Sequence, residues 1–218
     1  MSTGATLELA ILISGRGSNM EALARACASG ALAARVAAVI ADRGGAAGID
    51  TARALGIETA TVVHAGDRAA FEGALAQTLE RYRPGAVALA GFMRVLSAEF
   101  VARYAGRLFN IHPSLLPRHR GLDTHRRVLA AGEPVHGASV HFVTPQLDAG
   151  PVILQSRVPV RRGDSEAALA ARVLASEHVI YPRAVGWFVE GRLALDGLRV
   201  TVTPPEPQGV FADLKAEA

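Results

Sequence analysis

This 218-residue sequence predicts an α/β protein built on a parallel sheet, on three observations. Short, continuous apolar runs alternate with amphipathic helical stretches through the first half, as strand–helix units do. The runs stay apolar along their length, which suits parallel strands covered on both faces. Polar or glycine-bearing turns, "GRGSN", "GFMR" and "NIHP", fall where three of these strands end. In open sheets of this class, ligands bind beyond the carboxyl ends of the strands.

The elements follow in order. "ELAILIS" (8–14) reads as a buried strand stopped by Gly15. "SNMEALARACAS" (18–29) has helical spacing, with Ser18 or Asn19 placed to cap it. "ARVAAVIA" (34–41) is a second strand, and "AAGIDTARALG" a short helix with Gly56 just past its end. "IETATVV" (57–63) is a third strand, and Asp67 suits the cap of a helix from Arg68 to about Tyr82. "AVALA" (86–90) and "RLFNI" (107–111) are strands on either side of the helix in "SAEFVARYAG". Beyond residue 120 the rhythm changes. "THRRVLAAG" is a short helix; "VHGASVHFVT" (135–144) and "PVILQSRVPV" (151–160) are strands joined by "PQLDAG". A long helix follows Asp164 and Glu166, and Pro182 is expected to kink or interrupt it. Asp196-Gly197 marks a hairpin, and the segment from Pro204 is expected to be loose. The chain therefore reads as one catalytic domain over 1–203 with a tail at 204–218.

Half the residues are apolar and a fifth are charged, an ordinary globular composition. Cys27 is the only cysteine, so no intramolecular disulfide can form, and a reducing, cytoplasmic setting is expected. The first apolar run has no basic flank and stops early at a glycine turn, which fits neither a signal peptide nor a membrane span. The formal net charge is +3, and Lys215 is the only lysine. The arginines are scattered, without an aromatic platform, so composition bias explains most of them better than nucleic acid does.

"SGRGSN" opens a helix after the first strand. Glycines there allow close approach of an anion, and the helix start offers N–H groups and a positive dipole. A dinucleotide fingerprint wants glycine where Met20 stands, and a P-loop wants Gly-Lys-Ser/Thr, so a single phosphate monoester or an unliganded tight turn remains. His112, His119 and His125 share a loop region without metal-ligand spacing. His64, His136, His141, Ser139 and Cys27 read as structural. In "FNIHP", Asn110 and His112 project to one side of a strand that Pro113 ends. Asp148 in "LDAG" alone is a turn aspartate. With Asn110 and His112 it makes an amide, imidazole and carboxylate set suited to moving an acyl group onto an amine. Asn110 can donate to a tetrahedral oxyanion, and a carboxylate beside His112 favours its protonated form.

Together "LISGRGSN", "LAGFMRVLS", "NIHPSLLP", "SVHFV", "LDAGPVILQ" and "SEHVIYP" resemble, in order and spacing, the folate-dependent phosphoribosylglycinamide formyltransferases of purine synthesis, over Leu9 to Leu195. The resemblance implies a Rossmann-like formyltransferase fold, its sheet parallel in the N-terminal half and mixed in the C-terminal half, with helices on both faces. It implies catalytic roles for Asn110, His112 and Asp148, with His125 supporting Asp148. Gly17, Ser18 and Asn19 would bind the ribonucleotide phosphate, and Glu177 its sugar or glycinamide part. Met93, Arg94, Val95 and Leu96 would line the pterin pocket, and Arg68 would meet the carboxylates of the folate tail. The co-substrate would be 10-formyltetrahydrofolate, with no metal, no nucleic acid and no membrane, and the protein a monomer or homodimer. Arg16, the "RHR" of Arg118, His119 and Arg120, and Asp123 fall where the family varies.

Three rivals share parts of this pattern. Methionyl-tRNA formyltransferases carry a further C-terminal RNA-binding domain, which this length is not expected to hold. A 10-formyltetrahydrofolate hydrolase would use the same three residues but usually has an N-terminal regulatory domain, whereas here the catalytic fold is expected to start at residue 8. A nucleotide-binding module would set Asp42 on a ribose, and Met20 speaks against it.

Overall fold

The structure, a computed structural model, describes residues 6–211, with the remaining terminal residues outside that range. They form two compact units, divided between Asn110 and Ile111.

In the first unit, β1 (Leu7–Ile13) is followed by α1 (Ser18–Ala28), β2 (Ala34–Ala41), α2 (Ala47–Ala54), β3 (Thr59–Thr61), α3 (Arg68–Tyr82), β4 (Ala86–Leu89) and α4 (Ala98–Arg103), and then by the start of β5 (Leu108–His112). Every pairing here is parallel: β3 on β2, β2 on β1, β1 on β4 and β4 on β5. Leu9 to Ile13 are fully buried, and so are the residues of β4, as expected for strands covered on both faces. β3 is shorter than the apolar run 57–63 suggests, and its three residues are half-buried or exposed.

Asp67 caps α3 as expected, accepting the N–H groups of Ala69 and Ala70 at 2.9 and 3.1 Å. Such a cap contributes about 1 kcal/mol. The start of α1 differs. Its cap position is Gly17, at φ +75°, with no side-chain capping bond, so neither Ser18 nor Asn19 caps the helix. A Cβ on Gly17 would lie 3.0 Å from Gly48 Cα, and the Gly48 N–H donates to Gly15 O at 3.0 Å. The turn 15–17 thus lies directly on the first turn of α2, and glycine at both positions permits that approach.

In the second unit come α5 (Thr124–Ala130), β6 (Val135–Phe142), β7 (Val152–Pro159), α6 (Glu166–Val189), β8 (Leu193–Asp196), β9 (Arg199–Val202) and β10 (Gly209–Phe211). β6 and β7 are antiparallel, β7 and β10 parallel, so the mixed character of the C-terminal half is as expected. α6 packs on both β6 and β7. It runs 24 residues through Pro182 without interruption, because a face bearing Leu169, Val173, Ile180, Tyr181, Ala184 and Val185 is buried along its length. Its cap is Ser165, whose hydroxyl accepts the Ala168 N–H; Asp164 instead pairs with Arg172 at 2.8 Å. In the hairpin, Asp196 pairs with Arg199, so the turn residues are Gly197 and Leu198, one position later than the Asp-Gly reading.

The segment from Pro204 is not loose as far as Phe211. Glu206 binds Arg183 and Arg192, each at 2.5 Å, and both guanidiniums lie over the Trp187 ring. Gln208 donates to Ile153 O at 3.0 Å just before β10 joins β7. No helix among the described residues is long and apolar enough to cross a membrane.

Candidate active site

β5 ends at the residues singled out by sequence. Asn110 is half-buried and His112 is buried, and the two share one side of the strand. In the second unit, His112 Nδ1 lies 3.3 Å from Asp148 Oδ2, while its Nε2 lies 3.0 Å from the His119 carbonyl oxygen. A carboxylate and a carbonyl both only accept. Each ring nitrogen of His112 therefore faces an acceptor.

Asp148 is brought to His112 by an unusual stretch of backbone. Its φ is +47°, and it is 8 % exposed. Its Oδ2 also accepts the Gly121 N–H at 2.9 Å, and His141 Nε2 stands 3.9 Å from its other oxygen. The loop closes at Gly150, where a Cβ would lie 1.8 Å from Phe142 O, so only glycine fits. Where β6 meets β7, Val140 pairs with Leu154 and His141 with Val152, which makes Ile153 an extra residue on β7. Such a bulge bends a strand and re-aims its neighbours. It lies at the root of the Asp148 loop.

His125 does not contact Asp148. Its Nδ1 lies 3.1 Å from His136 Nε2, the rings edge to face at 80°. Burial pushes the His136 imidazole down to about 4, with further lowering from His125, His119 and His112; His125 is lowered mainly by its own burial. The unfolded chain takes up this proton near the ordinary value of 6.5, the native one only near 4. Stability is therefore expected to fall as pH drops through that window. His136→Gln should remove part of the slope, read as the difference in urea midpoint between pH 7 and pH 5. Equal slopes in parent and variant would refute it.

By sequence His119 has no assigned role, His141 reads as structural and Glu133 is not singled out. His119, at φ +52°, contacts Glu133 at 2.7 Å, and Arg118 contacts the same oxygen at 2.7 Å, so the carbonyl facing His112 is held from behind. Glu177 is buried on α6, next to Ser176, whose hydroxyl bonds that of Ser156.

The first unit holds the other candidates. Gly17, Ser18 and Asn19 form the uncapped start of α1. Met93 and Val95 are 61 % and 59 % exposed, while Leu96 between them and Ser97 is buried. Arg94 Nε donates to Asp42 Oδ2 at 2.5 Å. That contact engages the carboxylate which a ribose-binding module would need. Arg68, the first residue of α3, stands on an open pocket of about 360 Å³ shared with Glu72, Ser97, Glu99 and Arg103. Among the described residues, no three histidine, cysteine or carboxylate side chains are grouped to hold a metal ion.

The family model for formyl transferase matches residues 7–185. The chain belongs to the formyl transferase family. It is 47 % identical over 216 residues to phosphoribosylglycinamide formyltransferase of Escherichia coli K12, an alignment spanning 95 % of this chain and all of that protein. Its fold matches the crystal structure of glycinamide ribonucleotide transformylase 1 from Symbiobacterium toebii with a TM-score of 0.89 and 43 % identity, over 92 % of this chain and 95 % of that one. A formyltetrahydrofolate deformylase from Burkholderia mallei matches less closely, with a TM-score of 0.84 and 30 % identity, over 91 % of this chain but 70 % of the deformylase.

Proposed function

We propose that this enzyme passes the formyl group of 10-formyltetrahydrofolate to the amine of 5'-phosphoribosylglycinamide, the formyl-transfer step of purine (IMP) biosynthesis. The observation that carries this reading is the His112 imidazole set between the Asp148 carboxylate and the His119 carbonyl, two residues after Asn110. The full-length match to the Escherichia coli transferase supports transfer over hydrolysis.

On this reading the substrate amine attacks the formyl carbon, and the carbonyl π electrons move onto oxygen. The Asn110 amide N–H donates to that oxyanion, and His112, held by Asp148, donates to it as well. Collapse breaks the bond to N10 of the folate. The proton lost by the attacking nitrogen passes through the imidazole to N10, leaving formylated ribonucleotide and tetrahydrofolate. Gly17, Ser18 and Asn19 hold the phosphate at the uncapped helix start, and Glu177 accepts from the same substrate. Met93, Arg94, Val95 and Leu96 receive the pterin, and Arg68 the tail carboxylates. The protein works in the cytoplasm on small molecules. One chain suffices for the His112–Asp148 pair, which meets within it.

Incubation with both substrates should yield formylated ribonucleotide and tetrahydrofolate in equal amounts. Free formate in place of the formylated ribonucleotide would mean a hydrolase and overturn the reading.

A further inference from the structure

The residues from Gly91 to Ser97 form neither helix nor strand. Three side chains from elsewhere in the first unit fix them. Ser14, just past β1, accepts the Met93 N–H at 2.8 Å. Asp42, just past β2, accepts from Arg94 Nε at 2.5 Å. Glu72, in the second turn of α3, accepts the Ser97 N–H at 2.7 Å and the Ser97 hydroxyl at 2.5 Å. The Ser97 hydroxyl in turn accepts the Phe100 N–H at 3.1 Å and so caps α4. All three anchors are buried: Ser14 is 2 %, Asp42 1 % and Glu72 8 % exposed. Between them Met93 and Val95 stand out into solvent.

A buried carboxylate is costly unless it is paired, and two of them here are directed at one short irregular segment. The apolar side chains that this segment exposes are what a flat aromatic ring system would cover. We propose that Asp42 and Glu72 are positioning residues for the folate: they hold Met93–Ser97 in its binding shape before the pterin arrives. The proposal rests on the folate reading above. A segment ordered in advance loses less freedom on binding, so affinity gains while the chemical step does not. Loss of an anchor should therefore act on the KM for folate and leave kcat alone.

The test uses Asp42→Ala and Glu72→Ala in the full chain, beside Asp42→Asn and Glu72→Gln, which keep an acceptor oxygen and the side-chain shape. Amide exchange over 93–97 should quicken in the alanine variants and stay near parental in the conservative ones. The KM for 10-formyltetrahydrofolate should rise about tenfold, equivalent to the ordering of a few side chains. The ribonucleotide KM and kcat should stay within about twofold. An unchanged folate KM, or an equal rise in both KM values with faster exchange throughout the unit, would overturn the proposal. Absence of formyl transfer by the parent would fail the functional reading instead. The affinity of a non-reactive folate analogue, measured by titration on the same variants, would then read the tenfold difference.

Discussion

Asp148→Asn is expected to lower turnover about a hundredfold or more while leaving both KM values nearly unchanged. Positioned acid–base catalysis contributes roughly 10²- to 10⁴-fold, and here the Asp148 carboxylate is the proposed partner of His112 Nδ1. The substitution is close to isosteric. Asparagine tolerates the left-handed backbone that Asp148 adopts, and its amide oxygen can still accept the Gly121 N–H. The loop should keep its course and the protein should melt as the parent does. What changes is the partner of His112 Nδ1, which becomes neutral. Steady-state kinetics with both substrates decides the matter. A loss smaller than about tenfold would remove Asp148 from its assigned role, since positioned acid–base groups typically contribute about a hundredfold or more.

Phosphoribosylglycinamide should accelerate consumption of 10-formyltetrahydrofolate strongly, and Gly17→Val should abolish that acceleration while leaving the slow background. A phosphate anchored at the start of α1 orients the amine at a distance, and orientation can lower a barrier by about 7 kcal/mol or more in favourable models. Water gains nothing from such an anchor. Valine cannot follow the glycine backbone at φ +75°, and its Cβ would press on Gly48 Cα at 3.0 Å and on the Met20 side chain at 3.1 Å. The turn must move, and the N–H groups at the helix start move with it. Circular dichroism and thermal melting show whether the variant is folded, and the folate KM reports whether the other substrate still binds. Folate consumption that is rapid alone and indifferent to the ribonucleotide would mean a hydrolase.

Much of this architecture was legible because its signals are local. β4 is an unbroken apolar run and β1 and β2 are apolar but for Glu8 and Arg35 near their starts, and burial on both faces of a parallel sheet demands that pattern. Asp67 announces α3 because a capping side chain must stand immediately before the helix it serves. Asn110 and His112 could be paired because strand alternation is a rule of period two. What stayed hidden depends on partners distant in sequence. Asp42 lies 52 residues from Arg94, and Glu72 lies 25 from Ser97, so neither carboxylate could be read as an anchor. The cap of α1 fell on Gly17 rather than Ser18 or Asn19 because the turn is shaped by its contact with Gly48, which periodicity does not show. His125 lies in the right stretch to support Asp148, yet His136 on β6 takes its ring nitrogen. β10 is three residues long after a proline-rich stretch, and only its pairing with β7 reveals it.

That last strand also governs what β7 can offer to another molecule. Gly209, Val210 and Phe211 lie in register with Gln155, Ser156 and Arg157 and take up backbone groups that would otherwise form an open sheet edge. Unpaired edges recruit strands from other chains. A chain clipped before Gly209 would lose this cover, and two such molecules could join edge to edge along β7. Glu206, gripping Arg183 and Arg192 three residues before Gly209, ties down the approach to that covering strand.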